Sequence, residues 1–302
     1  MEGKFARRVL MVEPAAFFLN PETLQDNHFQ KEQTISQEQC RGEFLGFVAA
    51  LRELGIEVLH LANPDPAAPD AVFPNNWFST HSTEECAEPT LVLYPMRWPS
   101  RRVERRPEFI CKLKETYTHV IDLTYLEQEQ GNVALESTGA LVFDKISHTV
   151  YMAISERASP LALAVLLEEL NKVAHKPWAS VVFHAQDAQG RPIYHTNVLL
   201  GLTPTTAVLN LSAIPSPTER EAVVASLSCH HRIVEITHLQ MSQMCGNLLT
   251  LYAPRLGREV IVLSESCRTA QLPLDREVIY VSISGIETVG GGSARCMLGE
   301  LF

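Results

Sequence analysis

The chain has 302 residues, 46% of them hydrophobic and 20% charged, with a formal net charge of −10. This is enough to bury one large core or two ordinary ones, and it excludes a disordered, collagenous or coiled-coil chain. The negative field argues against a nucleic-acid partner, and no apolar run approaches the roughly 18 residues that would span a bilayer.

The first apolar run, Phe5 to Val12, ends in Glu13-Pro14 and is too short for a secretory signal. A soluble, cytoplasmic protein is therefore expected. Seven cysteines (Cys40, Cys86, Cys111, Cys229, Cys245, Cys267 and Cys296) include no CxxC pair. Neither a zinc site nor a disulfide framework is expected, and most should be buried small hydrophobes. No metal or organic cofactor is called for. The sequence does not set the oligomeric state, and a homo-oligomer is compatible with it.

Phe5 to Glu13 reads as a strand. Ser36 to Leu54 has helical period, with Phe44, Phe47, Val48 and Leu51 on one face and Gly55 as the stop signal. Ile56 to Leu61 is the next strand, and Asn63 to Pro69 is a proline-rich loop rather than a domain linker. The five arginines between Arg97 and Arg106, with Glu104 among them, read as the solvated start of a helix. Leu161 to Ala174 and Pro217 to Ser226 are further helices. The alternation predicts an α/β fold in a single domain covering 1–302.

Five times, a turn of small or polar residues feeds directly into an apolar segment. The five are Pro74-Asn75-Asn76-Trp77-Phe78, Glu136-Ser137-Thr138-Gly139-Ala140, Tyr194-His195-Thr196-Asn197-Val198, Cys245-Gly246-Asn247-Leu248 and Gly292-Ser293-Ala294-Arg295-Cys296-Met297. Their spacing of about 50 to 60 residues is that of a repeated supersecondary unit, whose turns could converge on one axis.

The chemistry sits in these turns. Cys296 follows three glycines, which let backbone approach a ligand closely, and the N–H groups of such a turn can hold developing negative charge. Arg295 beside it would favour a thiolate. Equally, Cys296 could be a core cysteine after a tight turn. His195 has the side chain that a nucleophilic cysteine needs as base or acid near neutral pH, and Glu136 could orient its ring. Asp144 and Asp187 are rivals for that role, and Asp187 is also a candidate substrate contact. Asn75 and Asn76 offer amide donors and acceptors without charge. Arg101 and Arg157 could each grip a carboxylate through a bidentate fork. Taken singly, every one of these residues also has an ordinary structural reading.

Together, and in this order, they resemble the guanidino-group modifying enzymes, which include arginine deiminase, dimethylarginine dimethylaminohydrolase and the amidinotransferases. Gly290 to Met297 resembles their nucleophile motif. Asp70-Ala71-Val72-Phe73-Pro74-Asn75-Asn76 is similar to the segment supplying their guanidinium-binding acids, and Leu135 to Gly139 to the segment supplying the carboxylate partner of the histidine. Ile154-Ser155-Glu156-Arg157 and Ser100-Arg101-Arg102 resemble their carboxylate-binding elements. The resemblance runs over roughly residues 5 to 302. It implies a five-fold pseudo-symmetric α/β propeller with the site on the axis, a cysteine–histidine–glutamate constellation, and a small amino-acid substrate.

The sequence departs from the arginine-type pattern at Asn75 and Asn76, which stand where acids would hold a guanidinium. A buried cation needs compensating negative charge, which two amides do not provide. A neutral ureido group suits them, so the citrulline hydrolase (citrulline ureidase) group is the nearest resemblance. The expected reaction is citrulline to ornithine, carbon dioxide and ammonia. Arginine deiminase or dimethylarginine dimethylaminohydrolase activity is the alternative within the enzyme class. A catalytically silent amino-acid-binding protein on the same scaffold is the alternative outside it.

Overall fold

A computed structural model describes residues 4–128 and 133–302; residues 1–3, which begin the N-terminal run, and 129–132 lie outside the described residues. Strand β1 (Arg8–Pro14) leads through the helix Gln37–Glu53 to β2 (Glu57–Asn63), which pairs parallel to it. The helix begins where Ser36 Oγ accepts the Gln39 N–H at 3.0 Å, and beyond its last turn Gly55 takes φ +80°, which favours glycine. Its buried face is Cys40, Phe44, Phe47, Val48 and Leu51, the predicted stripe extended by one turn.

The same unit recurs. β3 (Phe78–His81) is antiparallel to β4 (Thr90–Leu93), and β4 is parallel to β5 (His119–Asp122) across the helix Pro107–Lys114. β6 (Leu141–Asp144), β7 (Thr149–Ile154) and β8 (Ala179–His184) repeat this pattern around the helix Pro160–Val173. β9 (Leu200–Leu202), β10 (Thr206–Leu209) and β11 (Arg232–Glu235) do so around Pro217–Ser228. In β12 (Leu249–Ala253), β13 (Arg258–Ser264) and β14 (Val278–Val281) a 3-10 segment, Glu265–Ala270, replaces the helix. Finally β15 (Gly299–Leu301) returns to pair antiparallel with β1. The first sheet is thus shared by both ends of the described chain. Among the described residues there are five three-stranded sheets of one topology, the five-fold pseudo-symmetric α/β propeller that the resemblance implied.

Each of the five turns stands directly before the first strand of a sheet, and successive turns bond to one another. Thr138 Oγ1 donates to the Asn75 carbonyl at 3.0 Å, Asn197 Nδ2 to the Thr138 carbonyl at 3.2 Å, and Asn247 Nδ2 to the Asn197 carbonyl at 3.2 Å. Buried turns have polar groups that water cannot reach, and here the neighbouring turn supplies the partners.

The arginine cluster is not a solvated helix start. Arg101 is buried, Arg102 donates to the Met96 and Arg97 carbonyls, and Arg105 pairs with Glu127. Arg101 pairs with Glu104 inside the cluster, whereas Glu127, the partner of Arg105, lies on another segment that local charge patterning could not reveal. No helix among the described residues is long and apolar enough to cross a membrane.

Candidate active site

A cavity opens at the axial end of the fifth turn, walled by Asp70, Asn76, Arg101, Arg157, His195 and Cys296. Cys296 sits in the short 3-10 segment Ala294–Met297 and is buried. His195 immediately precedes the segment Thr196–Val198, and its Nε2 meets Glu136 Oε2 at 2.8 Å. With a charged carboxylate on Nε2, the proton of a neutral ring resides there, which leaves Nδ1 as the basic nitrogen. Gly139 makes this arrangement possible: a Cβ there would lie 2.2 Å from Asn76 Nδ2 and 2.7 Å from the His195 ring. Only glycine lets the amide and the imidazole both press against that backbone.

Glu136 is fully buried, with Arg157 Nη1 at 3.5 Å, Arg101 Nη1 at 4.0 Å and the Arg97 N–H at 3.1 Å. Burial alone would raise its carboxyl, but Arg157, His195 and Arg101 outweigh burial and hold it well below the carboxylate range. Burial lowers the His195 imidazole below its ordinary value, and the contact with Glu136 only partly offsets this. The pair therefore rests as a neutral imidazole beside a carboxylate, ready to accept a proton at neutral pH.

Both shifts point down, so the folded chain binds fewer protons than the unfolded one. Stability is full above the ordinary histidine value of 6.5, falls as pH drops below it, and falls again below the ordinary glutamate value of 4.5. The urea midpoint is expected to decrease from pH 7.5 to 5.5, and to decrease less in His195→Gln, which has no imidazole to protonate.

The two arginines are tethered before any substrate arrives. Arg101 donates through Nε to Glu104 at 2.5 Å and through Nη2 to Asn76 Oδ1 at 3.0 Å. Arg157 donates through Nε to Asp26 at 2.9 Å and lies over the Tyr194 ring, 5.0 Å from its centroid. Asp26 belongs to the irregular segment between β1 and the first helix, which brings Thr23 and Asn27 to the cavity wall as well.

Asn75 does not line the cavity: its amide donates to Thr138 Oγ1 at 3.3 Å, so it serves the contact between turns. Asp187 is also absent from the wall. Its carboxylate accepts the N–H groups of Gln189 and Arg191 and the Arg191 Nε at 2.7 Å, closing its own exposed turn. Asp144 binds His231 at 3.0 Å, which leaves Glu136 as the partner of His195. Arg295 is turned from the sulfur, with its guanidinium on the Leu298 carbonyl at 3.2 Å and Glu300 at 2.9 Å. Three backbone donors of this turn are committed elsewhere. The Cys296 and Met297 N–H groups go to the Ser293 carbonyl, and the Arg295 N–H goes to Asn247 Oδ1.

The sequence reading missed Asp70, Asp26, Asn197 and Asn247. Asp70 stands in the segment already singled out, and the 3-10 turn Pro69–Val72 carries it to the cavity wall. Its Oδ2 accepts from Asn20 at 2.8 Å and Thr23 at 3.2 Å, whereas the buried Oδ1 has no partner. The premise that the site lacks an acid is therefore corrected. Asn197 and Asn247 were legible as the amides of the third and fourth turns. Asp26 lies in a segment without periodicity, and nothing in the sequence marks it.

Residues 13–302 match the family model described as N,N dimethylarginine dimethylhydrolase, eukaryotic. The chain belongs to this family. It is thereby a member of the guanidino-group modifying superfamily, whose fold it has. Solved structures share that fold at low identity. ArgZ, an arginine dihydrolase from the ornithine–ammonia cycle in cyanobacteria, superposes in its apo form with a TM-score of 0.73 at 16% identity, over 97% of this chain and 40% of that one. The N-terminal domain of ArgZ bound to product gives 0.72 at 17% identity, over 98% and 97%. A dimethylarginine dimethylaminohydrolase carrying an S-methyl-L-thiocitrulline adduct gives 0.66 at 14% identity, over 98% and 100%. The dimethylarginine dimethylhydrolase-family chain thus spans about 40% of the length of full-length ArgZ. Comparison with curated proteins finds no match.

Proposed function

We propose that this protein is a cysteine-dependent hydrolase of a ureido amino acid, converting L-citrulline to L-ornithine, carbon dioxide and ammonia, with residues 1–302 working as one domain. The reading rests on Asn76. Its Oδ1 accepts from Arg101, which turns Nδ2 the other way, and that buried donor has no partner in the protein. An unpartnered buried donor requires an acceptor. The carbonyl oxygen of a ureido group is one; a guanidinium has only N–H donors and offers none.

In this mechanism Arg101 and Arg157 hold the α-carboxylate, and Asp26 gives up its place on Arg157. The Cys296 proton passes to His195 Nδ1 and the sulfur attacks the ureido carbon. The carbonyl pair moves onto oxygen, facing Asn76 Nδ2. When it returns, the C–NH₂ bond breaks, the imidazolium protonates the leaving nitrogen, and ammonia departs from an S-carbamoyl intermediate. Water activated by the same imidazole then cleaves the C–S bond, and the released carbamate loses carbon dioxide. His195, oriented by Glu136, serves both steps.

The unpartnered Oδ1 of Asp70 favours a second reading, an arginine or methylarginine substrate, because a carboxylate in the cavity wall suits a cation. ArgZ, with the same fold, acts on arginine. Side-by-side assays of citrulline, arginine and dimethylarginine separate the two. Ornithine and ammonia from citrulline alone are expected; citrulline accumulating from either guanidino substrate, or ornithine formed from arginine, overturns the ureido reading.

A further inference from the structure

The sulfur of Cys296 lies against two side-chain amides that the mechanism above leaves idle. Asn247 Nδ2 is 3.2 Å from it and Asn197 Nδ2 is 3.5 Å. Each amide has two hydrogens and two acceptors in reach. Asn247 serves the Asn197 carbonyl at 3.2 Å and the sulfur; Asn197 serves the Thr138 carbonyl at 3.2 Å and the sulfur. The orientation of Asn247 is not free, because its Oδ1 accepts the Arg295 N–H at 3.1 Å and so its donor end faces Cys296. The contact from the thiol back to Asn247 Oδ1 is longer, at 3.6 Å. The geometry treats the sulfur as an acceptor.

Several groups that could hold a buried thiolate are engaged elsewhere. The Arg295 guanidinium serves Leu298 and Glu300, and the Cys296 and Met297 N–H groups serve Ser293. His195, neutral at rest, hydrogen-bonds Glu136. A buried anion without donors is strongly disfavoured.

We propose that Asn247 and Asn197 are catalytic residues: a pair of neutral donors that holds Cys296 as the attacking thiolate and takes it back after the second step. The proposal rests on Cys296 being the nucleophile of the proposed function, but not on which substrate it attacks. When the thiol proton leaves for His195, the new sulfur lone pair meets two N–H groups. That pair becomes the C–S bond on attack, and when water cleaves the bond the thiolate returns to the same two amides. The device also explains why the nucleophile stands on a propeller turn. The third and fourth turns each aim one amide at the fifth.

The test is the rate at which iodoacetamide alkylates Cys296 at pH 7, read on its own peptide by mass spectrometry so that exposed Cys111 and Cys229 do not interfere. Asn247→Asp retains the acceptor for Arg295 and replaces the donor with an anion. Alkylation is expected to slow by about tenfold or more, the loss of one hydrogen bond to a charged group. Asn197→Ser removes the other donor and is expected to slow alkylation severalfold. In both variants kcat should fall while KM stays within about threefold, because Arg101 and Arg157 are untouched. Wild-type alkylation rates in these variants overturn the proposal. If Asn247→Asp fails to fold by circular dichroism, Asn197→Ser decides alone on the same criterion. Slowed alkylation in an enzyme that ignores citrulline upholds the donor pair and removes only the ureido substrate.

Discussion

Cys296→Ala is expected to lose turnover by on the order of 10⁴-fold or more, with the fold and substrate binding retained. The side chain is small and buried and its backbone bonds run to Ser293, so truncation removes the attacking atom and its contacts with Asn247 and Asn197. His195→Ala should cost a similar factor, because residues of one catalytic unit are strongly non-additive. The double variant should then be scarcely slower than either single one. Calorimetry on Cys296→Ala should still detect citrulline within a few-fold of the affinity of the active enzyme. Near-normal activity in either single variant would remove the cysteine–histidine assignment. Binding without turnover in the unsubstituted protein would instead identify a silent amino-acid-binding member of the family.

The second large effect concerns substrate choice. Asn76→Asp keeps an oxygen for Arg101, so the local network is retained and gains an ion pair. The unpartnered Nδ2 donor is replaced by a carboxylate oxygen. Losing a donor to the developing oxyanion costs roughly 100- to 1,000-fold in kcat, and adding like charge increases the penalty. Citrulline turnover should fall by at least about 100-fold, while the affinity for arginine relative to citrulline should rise, since Asp70 and the new carboxylate together suit a guanidinium. Unchanged citrulline turnover in Asn76→Asp would show that the amide does not face the reacting carbonyl, and the ureido reading would lose its main support.

Asp70 changes the electrostatic character of the site. From the sequence, two adjacent amides appeared to replace the acids of a guanidinium site. In the folded chain an acid is present in the wall, six residues before Asn76 and brought round by a 3-10 turn. Charge alone no longer excludes an arginine-type substrate. The distinction passes from counting charges to the direction of one amide, which a hydrogen bond from Arg101 sets. Asn75, alike in sequence, is spent on the contact with Thr138.

Features carried by short-range pattern were legible in the sequence. Helical period and the stop signal at Gly55 determined the first helix to within a residue or two. Spacing and small residues marked five turns, and the family resemblance carried by their order and by the cysteine motif implied the propeller and nominated site residues. What only the tertiary structure decided depends on pairings between distant segments. Glu136 and His195 are 59 residues apart, Arg157 and Asp26 are 131, and Cys296 and Asn197 are 99. An ion pair or an amide donor leaves no periodic trace, since its meaning lies in which group it faces once the turns converge. That is why the sequence could nominate Cys296, His195 and Glu136 by type and order. Only the folded chain could separate Asn76 from Asn75, set Asp187 aside, turn Arg295 away from the sulfur and bring Asp70, Asn197 and Asn247 to the site.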